Sequence, residues 1–221
     1  MSADSGDGMG RRYPKPNTVA WVCLLLMAVV VMAANGGVLS PASSRQTYAD
    51  VPTNSVFWPA VEQLARMGVT TGYPCGGTGE PCDELNRPYF RVFEPLTHKE
   101  LAMMISKVKG GSEMPVVQRP DAAVTRRELT EAISLADPAL FKDIRMPGRS
   151  SFQDVPQEAP YRQYIEEVYA LGIMKGYGCG SISPPEPCVP PDNNPYFHPD
   201  SRTTLGQSAT VLAAWIKAGR R

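Results

Sequence analysis

Four cysteines carry the clearest chemical signal in this sequence, Cys75 and Cys82 in one segment, Cys179 and Cys188 in another. Thiols at such spacings either pair with each other or gather round a metal. Structural zinc sites favour cysteines separated by about two to four residues, and both intervals here are wider. The expectation is two disulfides, Cys75–Cys82 and Cys179–Cys188, each closing its own loop in an oxidising compartment. One zinc site built from all four thiols is the alternative. The other candidates are sparse. His98 and His198 belong to no nucleophile or metal pattern, so each is expected to be solvated or locally bonded. Asp50 and Asp154 each stand at a turn, where local capping explains a carboxylate better than acid–base work, which needs two groups converging on one site. Asp83, Glu84 and Asn86, like Asp192, Asn193 and Asn194, lack the alternating ligand spacing of a calcium loop. Tyr73 and Tyr177 could stack on sugar rings, whereas Trp58 and Tyr89 fit packing roles better. The expectation is a noncatalytic chain with no cofactor and no metal; an exported hydrolase is the remote alternative.

The segments that hold the cysteines are two copies of one pattern. Gly72-Tyr73-Pro74-Cys75 … Glu80-Pro81-Cys82 … Pro88-Tyr89-Phe90 returns as Gly176-Tyr177-Gly178-Cys179 … Glu186-Pro187-Cys188 … Pro195-Tyr196-Phe197. The offset is 104 at the first cysteine (179 − 75) and 106 at the second (188 − 82), so the second loop carries insertions. Upstream the same offset of 104 relates Asp50-Val51-Pro52 to Asp154-Val155-Pro156 (154 − 50). A register held that long marks an internal repeat.

Around each loop the periodicity places helices. Trp58, Val61, Leu64 and Ala65 recur at helical spacing, as do Tyr161, Tyr164, Ile165, Val168 and Leu171. Asn54 or Ser55 is the expected cap of the first of these. Gly68 and Gly172 follow where a left-handed C′ residue ends a helix. A capped helix comes after each loop: Thr97 with Glu100, and Thr204 with Gln207, have the spacing of a capping box. Thr125 with Glu128 is a third such box, opening a helix with Leu129, Ala132 and Ile133. Only 11 residues separate Val108 from Pro120, too few for a helix and a long loop, so the middle is a half-repeat.

The chain has 221 residues, zero formal net charge and 22 Pro with 19 Gly. Nothing in that balance offers the basic face a nucleic-acid partner requires. Arg11, Arg12 and Lys15 precede an apolar run from Val19 to Ala34 that can extend to Leu39. That length falls between a signal h-region and a spanning helix. Either way the positive flank sends the rest of the chain outward, and Cys23 sits inside the run. The reading of the domains is 1–18 cytoplasmic, 19–39 transmembrane anchor or signal peptide, 40–47 linker, 48–108 first repeat, 109–150 linker and half-repeat, 151–217 second repeat.

Phe152-Gln153-Asp154-Val155-Pro156, the Tyr/Ile-bearing helix, Gly172-Ile173 … Gly176-Tyr177, the Pro-Asp step and Thr125-Arg126-Arg127-Glu128 together resemble the S-layer homology family, in a variety with cysteines in the loop. The resemblance implies a mainly α fold: helix-loop-helix repeats, two full and one half, forming one compact helical domain with ligand grooves between motifs. It implies a cell-envelope protein that attaches to cell-wall polysaccharide or to another envelope protein. The alternative is a structural subunit whose incomplete domain assembles with a partner, so an oligomer is possible. In the family, the arginine of the Thr-Arg-x-Glu box meets anionic glycan groups. Here only Arg126 holds that position; His98 and Leu205 stand there in the other motifs. The binding set expected is Arg126, Arg127, Tyr73, Tyr177 and Ile133, the last on a helix face left open by the missing first helix of the middle motif.

Overall fold

A helix leaves its first amides without internal partners, and this chain meets that need in the same way three times. The computed structural model describes residues 46–111, 116–182 and 185–220. The elements are α1 (Trp58–Arg66), α2 (His98–Val108), α3 (Arg126–Ala136), the short α4 (Pro138–Phe141), α5 (Arg162–Ala170), a two-stranded hairpin of β1 (Ser181–Ile182) and β2 (Pro185–Glu186), and α6 (Leu205–Ala218). The described part is therefore mainly helical. Helices α2, α3 and α6 open with complete capping boxes at Thr97/Glu100, Thr125/Glu128 and Thr204/Gln207. In each, the threonine oxygen accepts the N3 amide while the Glu or Gln side chain accepts the threonine amide.

The residues before these caps tie the three helices into a ring. Leu96 N–H donates to Thr203 O (2.8 Å), Thr203 N–H to Val124 O (2.9 Å), and Val124 N–H to Leu96 O (2.8 Å). All three residues are buried. The first-turn amides continue the cycle. Those of His98 and Lys99 donate to Ala122 O and Pro120 O, those of Arg126 and Arg127 to Ser201 O and Pro199 O, and those of Leu205 and Gly206 to Glu94 O and Val92 O. Gly206 is needed here, because a Cβ would lie 2.9 Å from Val92 O and 3.0 Å from the Phe57 ring.

Helices α1 and α5 end alike. Val69 N–H donates to Leu64 O and Gly68 N–H to Ala65 O, and Ile173 and Gly172 do the same to Val168 O and Tyr169 O. This is the Schellman arrangement, with both glycines at positive φ. Neither Asn54 nor Ser55 is the helix cap: α1 begins after Phe57 with no side-chain cap, while the Ser55 hydroxyl accepts the Phe57 amide (3.3 Å) and its carbonyl the Trp58 amide. Helix α1 packs on α6, and α5 packs on α3. The core gathers Val61 and Leu64, Leu129 and Ile133, Ile165 and Val168, and Leu212 and Trp215.

That pairing corrects the expectation for the half-repeat. The face of α3 carrying Leu129 and Ile133 is not open, since α5 covers it and both side chains are fully buried. Each first helix packs on the capped helix before it in the cycle, so the helix left without a first-helix partner is α2. Ile105 of α2 is half-buried where its counterparts Ile133 and Leu212 have no exposure. The apolar run 19–39 and Cys23 lie outside the described residues, and among those described no helix is long and apolar enough to cross a membrane.

Candidate functional site

Each cysteine loop closes its own disulfide, Cys75–Cys82 and Cys179–Cys188. The chain on both sides of each loop is pinned by paired tyrosines, Tyr73 with Tyr89 and Tyr177 with Tyr196, through reciprocal backbone bonds. Asp50 and Asp154 do more than cap a local turn. Asp50 accepts the amides of Phe90 and Arg91 (2.7 and 2.6 Å), and Asp154 accepts those of Phe197 and His198 (both 2.6 Å). Each carboxylate thus clasps the far end of its loop across about forty residues of chain. Asp83, considered as a calcium ligand, is spent on the Leu85 and Arg87 amides and the Arg87 side chain.

Two grooves lie beside these loops, at matching places in the two copies. The first runs between the Val69–Tyr73 segment and Glu100, Met103, Met104 and Lys107 of α2, with Leu205 at one end, and encloses about 220 Å³. The second runs between Gly172–Lys175 and Gln207, Thr210, Val211 and Ala214 of α6, with Arg126 and Phe57, and encloses about 390 Å³. The helix positions correspond at an offset of 107 (207 − 100), and the segments at 104 (173 − 69). The grooves differ in charge. Leu205 is the N1 residue facing the first, and Arg126 is the N1 residue facing the second.

Arg126 is only 7% exposed. Its Nε–H donates to Phe197 O (2.8 Å), its Nη2 to Lys175 O (3.1 Å) and its Nη1 to the Tyr177 hydroxyl (3.4 Å). The guanidinium also lies over the Phe197 and Tyr177 rings, 4.6 and 4.9 Å from their centroids. Burial lowers its pKa, opposed by Tyr177 and Asp154, but an arginine in a protein stays charged. Among the described residues no ion pair involves Arg126 or its groove neighbour Lys175. The second groove therefore holds two cations without a carboxylate. Arg126 is anchored in the wall by carbonyls rather than standing free at a rim.

Beside the first groove Tyr73, Glu100, Arg91 and Glu80 satisfy one another, while Lys107 on its wall forms no ion pair among the described residues. The Tyr73 hydroxyl donates to Glu100, whose carboxylate also takes the Thr97 amide and hydroxyl. Arg91 lies 4.0 Å over the Tyr73 ring and forms two bonds to Glu80. Burial and Glu100 both push the Tyr73 phenol up, so it stays protonated. The structure thus brings Arg126 and Tyr177 together and places Tyr73 in the other groove. Arg127 stands apart, half-exposed against Asp200 (3.2 Å) and the Tyr161 ring. Ile133 belongs to the core. Reading the sequence missed Lys175, Phe57 and the loop clamps Glu80–Arg91 and Glu186–His198. The clamps left a signal, since both members recur at the repeat's own offsets (186 − 80 and 198 − 91).

Residues 151–188 match the family model of the S-layer homology domain, which points to a cell-surface, cell-wall-binding role and to binding rather than catalysis. No curated protein matches the chain.

Proposed function

We propose, from the S-layer homology domain that residues 151–188 carry, that this is a noncatalytic cell-envelope protein that holds an anionic cell-wall polymer in the groove beside Arg126. In this reading residues 48–108 and 151–217 are two full repeats and 109–150 contains a half-repeat. The apolar run 19–39 brings the chain to the envelope, as anchor or cleaved signal, which N-terminal sequencing of the exported protein distinguishes. One observation carries the ligand class: Arg126 is a buried cation beside Lys175, and neither has a carboxylate partner. The carboxylate that favours the Arg126 charge, Asp154, is committed to the Phe197 and His198 amides. A buried charge without a direct ion pair is costly, and an acidic sugar group would supply that partner. Tyr177, 43% exposed next to Arg126, offers a ring face to the same ligand.

The test is retention of the full chain on isolated wall material. Arg126→Lys keeps the charge but loses the planar fork of donors, and with Lys175→Ala it should lower retention at least about ten-fold, the equivalent of ~1.4 kcal/mol. Arg119→Ala, removing an exposed cation that does not line the groove, should not. Retention unchanged in the double variant refutes the groove. The half-covered α2 favours a second reading, a structural subunit completed by a partner, and gel filtration of the same samples reports it.

A further inference from the structure

A third cavity, of about 350 Å³, lies between α3, α4 and α5, away from both grooves. Its walls are apolar at Leu135, Phe141 and Ile144, and five polar side chains stand among them: Ser134, Lys142, Gln163, Tyr164 and Glu167. Glu167 is 7% exposed, and its carboxylate receives one hydrogen bond, from the neutral Gln163 amide (2.8 Å). Lys142, the cation on the rim, forms no ion pair with it. Ser134 is 4% exposed, and its hydroxyl has no partner. A buried carboxylate without a cation and a buried hydroxyl without a bond are both unfavourable in a finished core.

The internal repeat shows that helix packing does not require them. The pair α1–α6 is the counterpart of α5–α3. There the positions of Glu167, Tyr164 and Ser134 are held by Gln63 (167 − 104), Ala60 (164 − 104) and Ala213 (134 + 79). The same helix pairing is built with two alanines and an uncharged glutamine. The set of Ser134, Tyr164 and Glu167 belongs to this cavity alone, and apolar walls around a few polar groups are the form of a small-ligand site.

We propose that this cavity binds an alkylammonium group, a protonated primary amine on a short aliphatic chain. The amine meets the Glu167 carboxylate, with the Ser134 and Tyr164 hydroxyls as further acceptors, and the chain lies along Phe141 and Ile144. A free amine and a lysine side chain share this chemistry.

Calorimetric titration of the full chain with butylamine, with N-acetyl-lysine amide and with butanol tests it. Butylamine should bind at least ten-fold more tightly than butanol. Binding of butylamine alone assigns the site to free amines, and binding of both amines extends it to lysine side chains. Glu167→Gln, which installs the residue the other helix pair already carries, should lower amine affinity at least ten-fold. Should that variant melt early or lose its disulfides, Ser134→Ala with Tyr164→Phe gives the same readout. Butanol binding as well as butylamine, no saturable binding of either amine, or unchanged affinity in the folded variants overturns the proposal.

Discussion

Thr203 is the weak member of the ring that joins the three capped helices. Its counterparts are Leu96 and Val124, and all three are essentially inaccessible to solvent. The ring uses only their backbone amides and carbonyls, so nothing in it depends on a hydroxyl. The Thr203 Oγ1 is buried and has no hydrogen-bond partner. An unmet buried polar group costs roughly 1–3 kcal/mol. Thr203→Val removes it, keeps the branched Cβ and its restricted χ1, and adds a methyl to the core. Val124, at the equivalent place (203 − 79), shows that a valine suits this position of the ring. Allowing for imperfect fit, the gain should be about 1–2 kcal/mol. For a domain of this size each kcal/mol moves Tm by about 2–4 °C. The assay is urea unfolding of wild type and variant with both disulfides intact, reading the midpoint at constant slope. An unchanged or lower midpoint with an unaltered slope refutes the reasoning: the hydroxyl would then be satisfied in solution or the ring would not tolerate the methyl.

Two further predictions concern side chains that hold the site in place. Glu128 has its pKa lowered: burial acts to raise it, but the Thr125 amide and hydroxyl, with His98 and Arg119, outweigh burial. A depressed carboxylate contributes stability that is present above its unfolded value, near 4.5, and is lost as pH falls through the folded value. Glu128→Gln keeps the cap, as Gln207 does in α6, so stability measured against pH should fall less steeply on the acid side; an identical acid limb would exclude Glu128 as a contributor. Asp154→Ala leaves the Phe197 and His198 amides without their acceptor, and hydrogen bonds to charged groups contribute roughly 1.5–3 kcal/mol each. The variant should lose at least about 2 kcal/mol in urea unfolding and expose the Cys179–Cys188 disulfide to faster reduction; wild-type reduction kinetics would show that the clasp does not hold the loop.

The three capping boxes, the glycine endings at Gly68 and Gly172 and the two disulfides were all legible in the sequence, because each is a contact between residues close along the chain. A threonine three positions before a glutamate, or a glycine at the end of an apolar stripe, needs no distant partner to act. The mainly helical character followed from the same local signals. Tertiary structure decided what those helices meet. Apolar periodicity shows that α3 must bury Leu129 and Ile133, but not that α5 would cover them and leave α2 without its partner helix. Asp50 and Asp154 looked like turn residues because the amides they accept lie about forty positions away. Arg126 was recognisable by its place in the box, yet its three donors were committed to Phe197, Lys175 and Tyr177 only when the ring brought α3 against the second loop. Partner choice at that range depends on how the whole chain closes, and no local spacing records it.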